Sequence, residues 1–251
     1  MAEKYEAGRS FLKANWHLLE RGFESDQKKG VAAPPLEKPA PEGATRIALP
    51  HPASLEPVGP PLLQLFRTRK SRRKFADAPL SLKEASYLCW AADGVREARG
   101  KFAFRTAPSG GARHPFELYV YVSRVEGVPE GLYYYEGTAH ALRLVRPGEL
   151  KAELDAALLD QLWGAAAVFV WAAVPYRNEW RYGPVSHKLT LLDAGHACQN
   201  LYLACESIGA GTCAIGAYDQ EKLDAFLGLD GVDEFAIFAA PAGKLPAREG
   251  E

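Results

Sequence analysis

Between the apolar pair Leu65-Phe66 and Phe75 lies the run Arg67, Arg69, Lys70, Ser71, Arg72, Arg73, Lys74, which contains no acid. Cations this close repel one another unless solvent or an anion compensates them. The run is either a solvated basic stretch or the seat of a phosphate, whose oxygens match guanidinium forks two at a time. Apolar flanks anchor it and a capped helix follows at once, which favours the phosphate. A second constellation is Ala107-Pro108-Ser109-Gly110-Gly111-Ala112-Arg113-His114-Pro115. Two glycines between prolines make a stiff-ended loop whose amides a ligand can approach closely. An ordinary tight loop is the alternative. The third is Gly209-Ala210-Gly211-Thr212-Cys213-Ala214-Ile215-Gly216. It nominally fits the dinucleotide fingerprint GxGxxA, but that fingerprint must follow a strand and open a helix, and these glycines follow a helix. Gly209 and Gly211 therefore read as a helix C-cap and exit turn. Thr212 to Ala217 then forms a small-residue segment on which a flat aromatic ligand could lie. A fourth segment is aromatic and basic (Tyr176, Arg177, Trp180, Arg181, Tyr182) and is followed by Gly183-Pro184. It reads as a surface loop with an aromatic anchor or as a cover over a site, with Tyr182 a candidate proton donor or acceptor.

The elements that must position these groups alternate plainly. Residues 2–24 have helical apolar spacing, and residues 34–61 hold nine of the eighteen prolines, which makes them an extended arm with a short strand at 45–49. The compact domain begins near Pro61, giving an arm at 1–60 and a domain at 61–251. Leu62 to Arg67 suggests a short helix. Ser81 to Asp93 is a stronger one, with Ser81 as N-cap and Glu84 completing a capping box. Strands are expected at 117–125, 131–135, 141–145, 166–174 and 234–240, with 131–145 a hairpin. Helices are expected at 149–161, 185–208 and 219–227. This order suits an α+β fold, a sheet flanked by helices, better than a βαβ array. The helix at 185–208 has no charged residue from Ala194 to Cys205 and is apolar on every face. It is either a central core helix or one packed against its symmetry mate in an obligate homodimer.

Composition narrows the rest. Hydrophobic residues at 47% and charged residues at 24% are ordinary for a globular chain. Thirty Lys plus Arg against thirty-one Asp plus Glu leave no basic excess for a nucleic-acid binder. The charged N-terminus is not a secretory signal, and the apolar run Leu162–Tyr176 is shorter than the roughly 20 residues a membrane helix needs. Cys89, Cys198, Cys205 and Cys213 form no CxxC pair and read as small buried hydrophobes in a reducing compartment, so the cytoplasm is expected. No metal-ligand spacing appears. His187 and His196 lack carboxylate partners at helical spacing and read as structural.

Taken in order, these pieces resemble the nitroreductase superfamily. Its opening motif, Arg-x-Ser-x-Arg/Lys-x-Phe, corresponds to Arg69 through Phe75, and its Pro-Ser loop to Pro108-Ser109. Its helix-and-glycine segment corresponds to Gly195–Ala204 and Gly209–Gly216, and its closing strand to Pro241–Lys244. Within that superfamily the loop at 108–119, Glu130–Tyr135 and the arm resemble stand-alone SagB-type dehydrogenases, which oxidise azolines to azoles. The resemblance implies a mainly antiparallel sheet in an intertwined homodimer, with FMN at the interface and no metal. It implies Arg69 on the phosphate, helped by Lys244 or Arg248, with Lys70 and Ser71 at the phosphate and ribityl chain. Arg73 would lie beside the flavin pyrimidine edge. Pro108, Ser109, Gly110 and Gly111 of the partner subunit would line the ring, with Ile215 and Gly216 behind it. Tyr182 and Arg181 would be catalytic, standing where SagB-type enzymes have Lys-Tyr. Typical nitroreductases have Asn and Gln where this chain has Ala112 and His114. The implied activity is ping-pong transfer of hydride between a small-molecule or peptide azoline-like substrate and flavin, with NAD(P)H or oxygen as electron partner. An NAD(P)H-dependent nitro or quinone reductase and a flavin-binding protein without turnover are the alternatives.

Overall fold

The computed structural model describes residues 5–19, 22–51, 54, 59–100 and 102–247. Its centre is a seven-stranded sheet, every neighbouring pair antiparallel, built from β1 (Arg46–Ala48), β4 (Phe116–Val122), β5 (Gly131–Glu136), β6 (Ala141–Pro147), β7 (Ala167–Ala173), β8 (Ala210–Thr212) and β9 (Phe235–Lys244) in the order β1-β6-β5-β4-β7-β9-β8. A separate hairpin pairs β2 (Val95–Arg99) with β3 (Phe102–Arg105). Side-chain alternation along the strands divides the interior in two. Leu118, Val120, Val122, Phe169 and Trp171 face one core, closed by α3 (Leu82–Asp93) and α6 (Ser186–Ser207). Tyr119, Tyr121, Val168, Val170 and Ala172 face the other, closed by α4 (Lys151–Ala157) and α7 (Gln220–Leu227). β4 and β7 are thus buried on both faces; the apolar run at 166–174 predicts this for β7, whereas 117–125 reads as an alternating strand, with one face towards the core.

The expected α+β sheet with flanking helices is the observed architecture. Ser81 caps α3 through the full reciprocal box with Glu84. The four cysteines are free and buried. Several boundaries differ. The helix expected at 2–24 is reduced to α1 (Glu6–Phe11) and a single turn at 15–18, and residues 1–4, 20 and 21 lie outside those described. α1 buries no side chain, and a helix without a packed face is not sustained at length. The helix expected at 149–161 stops at Ala157, because Leu159 and Asp160 turn left-handed at φ 55° and 61°. The segment read as a loop at 176–182 is a helix, α5 (Tyr176–Tyr182). Gly211, expected in an exit turn, lies in β8 opposite Gly243, whereas Gly209 does turn left-handed at φ 67°. No helix among the described residues is long and apolar enough to cross a membrane.

Candidate functional site

α2 (Leu62–Thr68) ends where Arg69 turns extended, and the basic run then lies against the β8–β9 edge. The Arg72 N–H donates to the Thr212 carbonyl at 2.9 Å, and the Ala76 N–H to that of Lys244 at 2.9 Å. Only small residues permit this approach. A Cβ on Gly211 would stand 2.4 Å from Arg72 Cγ, and one on Gly243 3.1 Å from Phe75 Cβ. On the exposed side, the Ser71 hydroxyl lies 3.0 Å from that of Tyr202, which accepts from the Ala214 N–H at 2.8 Å. The Arg69 guanidinium sits 5.3 Å from the Tyr202 ring centre, and that of Arg73 5.7 Å from the Trp163 ring. Tyr202, which sequence reasoning did not single out, therefore joins the basic run to the glycine segment.

The cations here differ in how they are satisfied. Arg72 pairs with Glu206 and Lys244 with Glu84, whereas Arg69, Lys70 and Arg73 have no carboxylate partner among the described residues. The Ile215 side chain is buried in the core beneath α4 and α7, and its backbone exchanges hydrogen bonds with Ala239. Gly216 is exposed, with open space where a Cβ would stand. Arg248 lies outside the described residues.

The Pro-Ser-Gly loop sits elsewhere. Asp193 on α6 holds it: the Ser109 hydroxyl donates to Asp193 Oδ2 at 2.7 Å and the Gly110 N–H to the same atom at 3.2 Å. Burial raises the Asp193 carboxyl above its ordinary value, and these two donors oppose that rise. Pro108 is exposed, and the Ser109 oxygen accepts from the His114 N–H at 2.8 Å. Gly111 is left-handed at φ 61°, and a Cβ there would stand 2.4 Å from the Tyr182 hydroxyl and 2.9 Å from Arg181 Nε. Arg181 and Tyr182 thus gather with Gly110 and Gly111 within one chain. Asp193 was legible only as the last charge before the apolar stretch of α6.

The two groups are carried by the same helix but do not face each other. Asp193 and Tyr202 are nine residues apart, which is about two and a half turns and ~13 Å of rise in an α-helix. They therefore project from opposite faces of α6. Within one chain the cationic cradle and the glycine loop are therefore separate groups.

These residues fit FMN. Arg69, Lys70 and Arg73, without a carboxylate partner among the described residues, flank Ser71 and suit a phosphate. Gly211 and Gly243 let the basic run pack onto the β8–β9 edge, and Gly216 leaves open space beside it for a flat ring. Among the described residues no group of three or more His, Cys, Asp or Glu side chains is placed to hold a metal.

The chain resembles known proteins in sequence and in fold. A protein of Methanocaldococcus jannaschii, provisionally assigned as a nitroreductase (MJ1384), is 35% identical over 178 residues, covering 70% of this chain and 87% of that one. The trifolitoxin-processing protein TfxB of Rhizobium leguminosarum bv. trifolii is 30% identical over 151 residues, 57% of this chain and 40% of the relative. A crystal structure from Ralstonia eutropha, also provisionally assigned as a nitroreductase, superposes with a TM-score of 0.67 at 28% identity, covering 86% of this chain and 100% of that one. The sequence pattern of the nitroreductase family matches residues 66–244, from the end of α2 to the end of β9, and the chain belongs to that family.

Proposed function

We propose that the chain is an FMN-dependent oxidoreductase that works as a homodimer and reduces small nitro- or quinone-type acceptors with electrons from NAD(P)H. The observation that carries this reading is the cradle of Arg69, Lys70 and Ser71, its two cations without a carboxylate partner among the described residues, held on the β8–β9 edge beside Tyr202. FMN, when bound, supplies reversible two-electron chemistry between two substrates that visit in turn. Arg69 and Lys70 bind the phosphate, and Tyr202 orients Arg69 from beneath its guanidinium. Lys244 is already met by Glu84, so Arg69 and Lys70 carry most of the phosphate charge. Arg73 would hold a fixed cation beside the bound ring, where it would favour the anionic form. Asp193 holds Ser109 and Gly110 where the partner subunit's ring would lie, and the Tyr182 hydroxyl holds or moves a proton beside that loop.

A second reading is azoline oxidation of the SagB type. It is favoured by the likeness to a trifolitoxin-processing protein and by the placement of Arg181-Tyr182 on Gly111. An arginine keeps its proton where a lysine could lose it, so in that chemistry Tyr182 carries the proton alone.

The test is anaerobic. The purified protein should be a yellow dimer that releases FMN rather than FAD, about one per chain, and NADPH or NADH should bleach it in stopped flow. Tyr182→Phe should slow bleaching by about 10²–10⁴-fold with FMN still bound. Bleaching by an azoline peptide but not by NAD(P)H would select the second reading. A flavin that neither reduces would leave a binding protein without turnover, and a colourless monomer that cannot be loaded with FMN would overturn the proposal.

A further inference from the structure

Outside the matched family region, the N-terminal arm closes over α5. Trp16 meets the Tyr182 ring edge-on, with centroids 5.7 Å apart. Phe23 packs on Gly183, where a Cβ would stand 2.2 Å from Phe23 Cζ and where φ is 56°. Between arm and helix lies a cleft of about 290 Å³ walled by Trp16, Phe23 and Tyr182, with Lys28 and Arg181, and no acid among the described residues, at its lining.

The two cations of this cleft are unpaired. Neither Lys28 nor Arg181 has a carboxylate partner among the described residues; Glu24, between the lining residues Phe23 and Ser25, is exposed and pairs with neither, and three further acids nearby are taken. Glu179 contacts His187 at 2.7 Å, Asp26 accepts from Tyr176 and Lys29, and Glu117 pairs with Arg177. Behind α5, Arg113 is 3% exposed and stacks 4.7 Å from the Trp180 ring centre. Its Nη1 is buried without a hydrogen-bond partner. Burial lowers the Arg113 pKa, and Arg177 and Arg181 lower it further. A cation stripped of water needs an anion or a full set of hydrogen bonds, and here the protein supplies neither.

We propose that the cleft between the arm and α5 binds a planar aromatic or heteroaromatic molecule bearing a carboxylate or phosphate, its ring against the wall of Trp16, Phe23 and Tyr182 and its oxyanion on Lys28 and Arg181. This rests on the oxidoreductase reading, because Tyr182 borders both the cleft and Gly111 and so places the bound ring beside the flavin loop. The arm then sets which molecules reach that loop.

The experiment titrates the FMN-loaded dimer with benzoate, phenyl phosphate and the neutral benzyl alcohol by calorimetry. Both anions should bind at least tenfold more tightly than benzyl alcohol, and added salt should weaken only the anions. Lys28→Gln should weaken the anions about fivefold while leaving benzyl alcohol and FMN affinity unchanged. Trp16→Ala should weaken all three. Displacement of benzoate by NADPH assigns the oxyanion to the electron donor; benzoate binding undisturbed by NADPH assigns it to the other substrate. Equal affinity for benzoate and benzyl alcohol, or no effect of Lys28→Gln, would overturn the proposal with the flavin reading intact. If no FMN binds, the titration is repeated on the flavin-free protein, since every lining residue belongs to one chain. Tight benzoate binding there would keep the cleft and discard the flavin reading.

Discussion

The Tyr202 hydroxyl touches both Ser71 and the Ala214 amide, and its ring lies under Arg69, so one side chain fixes the cradle's geometry before any ligand arrives. Within the cradle, neighbouring arginines have different jobs. Arg69→Ala should weaken FMN binding roughly ten- to a hundredfold, as expected for a charge-assisted contact of about 1.5–3 kcal/mol. Arg72→Ala should leave FMN affinity nearly unchanged and instead cost stability, because it strands the largely buried Glu206 carboxylate. Flavin titration of the apoprotein and denaturant unfolding separate the two effects. Equal losses of affinity would mean that the run acts only as diffuse charge. The arginines, Ser71 and the glycine loop were legible in the sequence because their residue types carry the chemistry. Tyr202 and Asp193 were not, since nothing in helical spacing says which loops will meet the opposite faces of α6.

Among the elements, those with a strong apolar period were readable, and those held by polar or distant contacts were not. α3 declares itself through Ser81 and Glu84, β4 through its alternating pattern, and β7 through an apolar run that suits a strand buried on both faces. α5 buries Arg177, Asn178 and Trp180, a polar set with no helical signature, and depends on the Arg177–Glu117 ion pair. β2 is mostly exposed, and β8 is the tripeptide Ala-Gly-Thr, a strand only because β9 lies beside it. The joint between the glycine loop and β4 offers a pH test. His114 is buried there beside Arg105, and its pKa is lowered from 6.5 to about 3, mainly by desolvation. A histidine depressed on folding contributes stability that is full above its unfolded value and is lost as pH falls from about 6.5 towards 3, because only the unfolded chain takes up the proton. Melting temperature should fall on acidification through pH 6 to 4, and His114→Asn should flatten that slope by about one proton. An unchanged slope in the variant would place the titrating groups elsewhere.

For the whole molecule, α6 is the axis. Leu191 and Leu192 are each 51% exposed on the described surface, and α2 presents Leu62, Leu63 and Phe66. Covering a half-exposed leucine is worth roughly 0.8–1.5 kcal/mol, and a two-fold axis counts each one twice. The double variant Leu191→Glu/Leu192→Glu should therefore sediment as a monomer at micromolar concentration and lose its flavin although every cradle residue is intact. A monomeric variant that keeps FMN would show that one chain holds the cofactor alone.

The arm has a further consequence for anyone dividing this chain. Glu37 accepts from Arg105 and Thr138, Lys38 bridges Tyr119 and Glu234, Arg46 pairs with Glu136, and β1 completes the sheet beside β6. Residues 66–244 are consequently a unit of ancestry and not a unit of solubility. A fragment starting at residue 60 would present the bare β6 edge to other molecules and strand the buried Arg105 with one acid fewer. Such a fragment should precipitate or assemble edge to edge, and a synthetic peptide spanning residues 34–51, added during refolding, should keep it in solution.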